Sequence, residues 1–305
     1  MRFTIETLVQ DEQVPIQIDE KTFEDTATAV QNLSIALGIE EKLDLLLENF
    51  AEYEREILRL ASDYKLHLHH EWSGFRYDLQ AINRRLVNFL TAARLYLDQV
   101  QHDVSSLHGG ESLEHLKAKI RSEYDSSLAY RILELVRNHV QHRSLPIGKT
   151  SYSIDRESNS EQHNRLRCSF LAYLDVDQLL ANPKGKRQVV EEFAQLSPQP
   201  DVTLLLGEYV EALCRVHEYV RQIIDPDILR WEAAIAAVRE TAGAKWKSLI
   251  GLAVVARDEH RRAQRQYHIV EEVSTHRTQL RAKNHYFKGL GSRYVASEGA
   301  LDTKS

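Results

Sequence analysis

From Leu43 to Leu68 the apolar residues fall on one stripe at helical spacing: Leu43, Leu46, Leu47, Phe50, Tyr53, Ile57, Leu60, Tyr64 and Leu68. A stripe of that period and length demands an α-helix with one buried face, and other elements must cover that face. The spacing predicts a helix over 40–70. A second stripe runs through Leu79, Ile82, Leu86, Phe89, Leu90, Ala93, Tyr96, Leu97 and Val100. It is wider, which predicts a helix from Trp72 or Gly74 to Val104 at the centre of a bundle. Two long helices joined by a short connector pack antiparallel. With 12 Gly and 6 Pro in 305 residues, the chain has too few breakers for a turn-rich β protein.

The remaining segments fit the same class. Residues 1–20 alternate loosely through Phe3, Ile5, Val14, Ile16 and Ile18, the pattern of a short hairpin. A helix is expected from Thr22 to a stop at Gly38. Asp103–Gly110 reads as a connector with a Gly-Gly break, and Glu111–His142 as one or two helices. After Pro146, SYSID (151–155) and LRCSFLAYLDV (166–176) alternate and are rich in β-branched and aromatic residues, which predicts a β-hairpin. NPKGK (182–186) reads as a turn. Helices are expected at 202–224, stopping before Pro226, and at about 227–241 and 244–271.

The expected architecture is mainly α, a helical bundle with a small β-hairpin insertion. Its segments are an acidic helical stretch packing on the core (1–70), core helices (71–147), the hairpin (148–180), C-terminal helices (181–271) and a basic, partly disordered tail (272–305). A helical core with an insertion fits better than two separate domains.

No apolar run approaches the roughly 20 residues that span a bilayer. The start, MRFTIETLVQDEQ, lacks the basic and apolar regions of a secretory signal. Cys168 and Cys214 form no CxxC pair, so a disulfide or metal framework is not indicated. The expectation is a cytoplasmic protein with reduced thiols. The net charge of −6 argues against a generally sticky nucleic-acid binder. The charge is uneven, however. Residues 1–60 hold 14 Asp/Glu against 5 Lys/Arg, and residues 257–294 hold 9 Lys/Arg against 4 Asp/Glu. The basic segment is either a polyanion contact or an intramolecular partner for the acidic N-terminus.

The chemistry-bearing stretch is AYRILELVRNHVQHRSLPI, Ala129 to Ile147. Ala129, Ile132, Leu133, Val136 and Val140 give it a buried face. Glu134, Asn138 and His142 form one polar row, with Arg137 and Gln141 in the adjoining row. Arg–His spacing alone decides nothing, since four Arg–His pairs in this chain have four to six residues between them. Only Arg137–His142 carries Asn directly after the Arg, sits at the end of an amphipathic helix and follows a long helix reading INRRLVNFLTAARLYLD (82–98).

With those features the chain resembles the HEPN superfamily, the helical domains of prokaryotic toxins and antiviral defence ribonucleases. Its R-[polar]-x3-H motif matches Arg137-Asn138-His139-Val140-Gln141-His142, and the likeness covers roughly residues 75–147. The resemblance implies metal-independent endoribonuclease activity at a composite site, formed where two motif helices meet across a homodimer. RNA and an antitoxin or defence-system protein are the implied partners, and no cofactor is implied. Some HEPN toxins carry Tyr two residues after the His, where a nucleotidyltransferase antitoxin modifies them. Here that position is Ser144, which puts such neutralisation in doubt.

Residue chemistry is consistent with that activity. Histidine, with an ordinary pKa of about 6.5, suits proton transfer near neutral pH. Arginine stays charged and pairs bidentately with phosphate oxygens. The catalytic candidates are Arg137, Asn138 and His142, and the substrate-binding candidates are Gln141, His139 and Arg143. For His139 the alternative is a partly exposed surface histidine. A non-catalytic HEPN-like scaffold that binds RNA or a partner protein remains the alternative for the whole chain. His67 and His70 in KLHLHHEW share a helical face at metal-ligand spacing, but no HExxH or cysteine pair completes a site.

Overall fold

The computed structural model describes residues 1–7, 14–66, 72–156, 166–181, 187–196, 201–285 and 288–292. The fold is mainly α, with seven α-helices and two small antiparallel sheets among those residues. In chain order the elements are β1 (Arg2–Glu6), β2 (Ile16–Ile18), α1 (Glu20–Leu66), α2 (Trp72–Ser126), α3 (Leu128–His142), β3 (Ile147–Arg156) and β4 (Leu166–Leu174). There follow α4 (Val176–Leu180), α5 (Arg187–Leu196), α6 (Val202–Gly243), β5 (Ala253–Arg257), β6 (Ala263–His268) and α7 (Glu272–Lys283). No helix of the described residues is long and apolar enough to cross a membrane.

Several expected breaks are absent because buried stripes run through them. Gly38 does not end a helix: Ala36, Ile39 and Leu43 are fully buried on either side, and α1 continues. A mid-helix glycine costs roughly 0.5–1 kcal/mol relative to alanine, which that packing offsets. Pro226 lies inside α6, whose buried stripe continues through Ile224, Ile228 and Trp231. The proline is exposed, and so is Gln222, whose carbonyl loses its usual helical donor. The Gly-Gly connector shrinks to one residue, Gly109, whose φ of 79° and ψ of −168° kink α2.

The chain divides into two compact units, and the expected segments do not delimit them. The first takes Met1–Leu45, Leu95–Ala118 and His217–His285. The second takes Leu46–Arg94, Lys119–Val216 and the described residues after 285.

In the first unit the strand order is β2-β1-β5-β6. The expected N-terminal hairpin is present, with Ile5 opposite Ile16. The helix expected over 244–271 is instead the β5–β6 hairpin. Leu252–Ala256 is a continuous apolar run with no alternation, and short runs of that kind do not distinguish a buried strand from a buried helix. β5 lies between β1 and β6 with its first four residues buried. Ile5, Val254 and Ala256 join Phe23 of α1 and Val238 and Ala242 of α6 in one core.

The first unit also shows where much of the basic segment goes. Arg257 forks onto Glu6 at 2.5 and 2.8 Å, and Arg265 onto Glu24 at 2.6 and 2.8 Å. Lys283 reaches Asp44 at 2.7 Å. Three cations of the segment thus hold acids of the N-terminal region. Arg277 and Arg281 pair with Glu232 and Asp225 of α6. Residues 272–283, expected in a loose tail, form α7.

In the second unit the expected hairpin is present as β3 and β4, with Tyr152 opposite Phe170 and a bulge near Gly148. Tyr152 stacks on Tyr64 of α1, ring centroids 4.3 Å apart, and its hydroxyl donates to Asp78 of α2 at 2.6 Å. The buried Asn83 of α2 clasps the root of β3: its Nδ2 donates to Ile147 O and its Oδ1 accepts from Ile147 N, both at 3.1 Å. Asn83→Ala removes the acceptor of a buried N–H. A stability loss of about 1–3 kcal/mol is expected in chemical denaturation, with faster amide exchange at Ile147.

Glu54 of α1 has its carboxyl pushed up to about 7, first by burial and then by the charge of Asp201. An acid whose folded pKa is raised supports the fold below its ordinary value of 4.5, and that support is lost as pH rises through about 7. Glu54→Gln is expected to raise the melting temperature at pH 8 and to flatten its decline between pH 4.5 and 7. A melting curve that keeps the wild-type slope over that window contradicts this. Glu54 is only partly buried, so the effect is on the order of 1 kcal/mol after solvent screening.

Candidate active site

The candidate residues lie on the last turns of α3 and at its C-cap, Arg143, in the second unit. Ser127 caps the helix start by accepting from Tyr130 N at 3.1 Å. Ala129, Tyr130, Ile132, Leu133, Leu135, Val136 and His139 are buried, which fixes the rotation of the helix. Asn138, Gln141, His142 and Arg143 are exposed as a result.

Arg137 sits at the flank of the buried face with its side chain 15% exposed. One terminal nitrogen meets Glu134 Oε2 at 3.3 Å and the other donates to Gln141 Oε1 at 3.1 Å. Glu134 is itself held by the buried Tyr209 of α6, whose hydroxyl donates to Oε1 at 3.0 Å. Burial first, then the charge of Glu134, pushes the Tyr209 phenol well above its usual range, so it stays a donor. Tyr130 packs against Tyr209 with centroids 4.8 Å apart. The guanidinium is therefore positioned by a relay, Tyr209 to Glu134 to Arg137.

The side chains of Asn138 and His142 have no hydrogen-bond or ion-pair partner among the described residues. Five residues at about 100° each place Arg137 and His142 roughly 140° apart around the helix. They form the two edges of one polar face, with Gln141, Glu134 and Asn138 between them. His139 departs from expectation: it is only 3% exposed, and its Nε2 lies 2.8 Å from Ser144 Oγ. It is not placed to contact substrate. The neighbouring cation Arg131 is engaged by Glu192 at 3.0 and 3.2 Å.

His67 and His70 lie outside the described residues. Among the described residues no group of three or more His, Cys, Asp or Glu is arranged to hold a metal ion. A groove of about 650 Å³ in the first unit, between α1, α6 and α7, contains none of the motif residues.

Sequence reasoning missed the supporting groups. Glu134 was legible as an i, i+3 ion-pair partner for Arg137. Tyr209 lies 75 residues from Glu134, and Gln178 lies 34 residues from Ser144, so only the tertiary fold joins them. No protein-family model matches the chain, and neither the curated proteins nor the solved structures compared with it include a match.

Proposed function

We propose that the chain is a metal-independent endoribonuclease of HEPN type that acts as a toxin or antiviral defence effector, with its site assembled from two copies of the chain. The observation that carries this reading is the state of α3's end. His142 and Asn138 are exposed and uncommitted, while Arg137 is held by Glu134 and Gln141 at the other edge of the same polar face. A second α3, brought in across a two-fold axis, supplies the convergence one helix lacks.

One His142 takes the proton from the 2′-hydroxyl. The resulting oxygen attacks phosphorus, Arg137 balances the charge on the equatorial oxygens, and the second His142 protonates the departing 5′-oxygen. Asn138, in the row of His142, orients the ring or donates to the phosphate. The products are a 2′,3′-cyclic phosphate and a 5′-hydroxyl.

The engagement of Arg137 by Glu134 and Gln141 favours the rival reading, a scaffold that binds RNA or a protein without cleaving. RNA cleavage in EDTA by the wild type, Arg137→Ala and His142→Ala separates the two. Cleavage by the wild type alone is expected, and equal activity in all three proteins removes the ribonuclease reading.

A further inference from the structure

The turn that follows His142 is closed by a chain of side chains whose direction can be worked out. Gln178 spends its Nε2 on Asp175 Oδ2 at 2.7 Å, so its Oε1 faces Ser144 Oγ at 2.6 Å. That oxygen only accepts, so the single hydroxyl proton of Ser144 points to it. Ser144 Oγ must then accept from His139, which fixes the imidazole as the tautomer with hydrogen on Nε2. His139 Nδ1 is buried and has no hydrogen-bond partner among the described residues.

The chain returns to its start. Asp175 also accepts from Gln178 N at 3.0 Å, and its own N–H donates to Pro146 O at 3.1 Å. His139, Ser144, Gln178, Asp175 and Pro146 thus form a closed loop around the exit of α3. Gly148 shows how tightly the loop is packed: a Cβ there would lie 2.8 Å from Asp175 Oδ2.

We infer that His139 is a positioning residue acting through Ser144, and that this loop holds the last turn of α3 so that His142 presents its ring in one orientation. The inference rests on the ribonuclease reading for its consequence in catalysis. The clamp itself does not depend on that reading. Helix ends fray, and His142 is the last residue of α3. Arg143 has already left helical geometry at φ −141° and ψ −78°, so the last helical bond on the histidine's C-terminal side is the one from Arg143 N–H to His139 O at 2.8 Å.

The test uses Ser144→Ala, an exposed position whose loss spares the core, together with His139→Leu and His139→Gln. Glutamine places an N–H near the Nε2 position and leucine does not. RNA cleavage kinetics and amide hydrogen exchange over residues 142–147 are measured on each full-length protein. Ser144→Ala and His139→Leu are expected to lower kcat by about 10–100-fold with KM within about twofold, because small misplacements of a catalytic group act on the chemical step. The same two variants are expected to exchange about tenfold faster at 142–147, with His139→Gln restoring both quantities to near wild type. Unchanged kcat and exchange in Ser144→Ala overturn the inference. So does a raised KM at constant kcat, which marks a substrate contact instead. If the wild type does not cleave, the ribonuclease reading falls, and the exchange measurement alone decides the clamp.

Discussion

Glu40→Ala is expected to destabilise the protein by about 3–5 kcal/mol, the loss typical of removing one partner from a buried ion pair. Glu40, His217 and Arg221 are 1%, 1% and 3% exposed. Arg221 forks onto Glu40 with Nε at 2.9 Å and Nη2 at 2.7 Å. His217 Nε2 meets the same carboxylate at 3.2 Å, and its Nδ1 lies 3.0 Å from the hydroxyl of the buried Tyr96. Tyrosine donating to Nδ1 and Nε2–H donating to Glu40 satisfies all three groups with a neutral imidazole. Without Glu40, the guanidinium keeps, among the described residues, Glu218 and the Asn284 carbonyl. Urea unfolding checks this, and a loss under 1 kcal/mol contradicts it.

The same cluster sets an acid limit. Hydrogen bonds from His217 and Arg221 outweigh the effect of burial and hold the Glu40 carboxyl at about 2 against an ordinary 4.5. A lowered carboxyl supports the fold above 4.5 and loses that support as pH falls through about 2. Burial lowers the His217 pKa from its ordinary 6.5, so the unfolded chain takes up that proton first. Both groups therefore weaken the fold as pH falls. Glu40→Gln is expected to lower neutral-pH stability and to shrink the further loss between pH 4.5 and 2.

The second large effect is on activity. His142→Ala is expected to lower kcat/KM by about 10²–10⁴-fold, the usual contribution of a proton-transfer group. Arg137→Ala is expected to fall in the same range. Arg137→Lys is expected to recover little, because a point charge lacks the planar fork that pairs with two phosphate oxygens. His142 is exposed and unpaired, so its replacement leaves the melting temperature unchanged. Loss of activity together with loss of fold in His142→Ala contradicts a purely chemical role.

The long stripes of α1 and α2 were legible because a 3.6-residue period sustained over many turns has one structural meaning. Gly38 and Pro226 misled as local breakers, since buried neighbours outweigh a single backbone penalty. Residues 244–271 were illegible for another reason: a run buried on all sides, such as Leu252–Ala256, loses the alternation that marks a strand. At the candidate site, periodicity identified which residues leave α3 on its exposed side. It gave neither the burial of His139 nor the turning of Arg137 onto Glu134, both set by elements distant in sequence.

The central claim is a shared site, and one mixing experiment tests it. Wild-type chains are co-refolded with increasing amounts of a differently tagged Arg137→Ala/His142→Ala chain, co-purification of the two tags is verified, and RNA cleavage is measured in EDTA. A site built from two copies predicts that activity per wild-type chain falls towards zero as mixed dimers replace wild-type dimers. Constant activity per wild-type chain, failure of the tags to co-purify, or no cleavage by the wild type contradicts it.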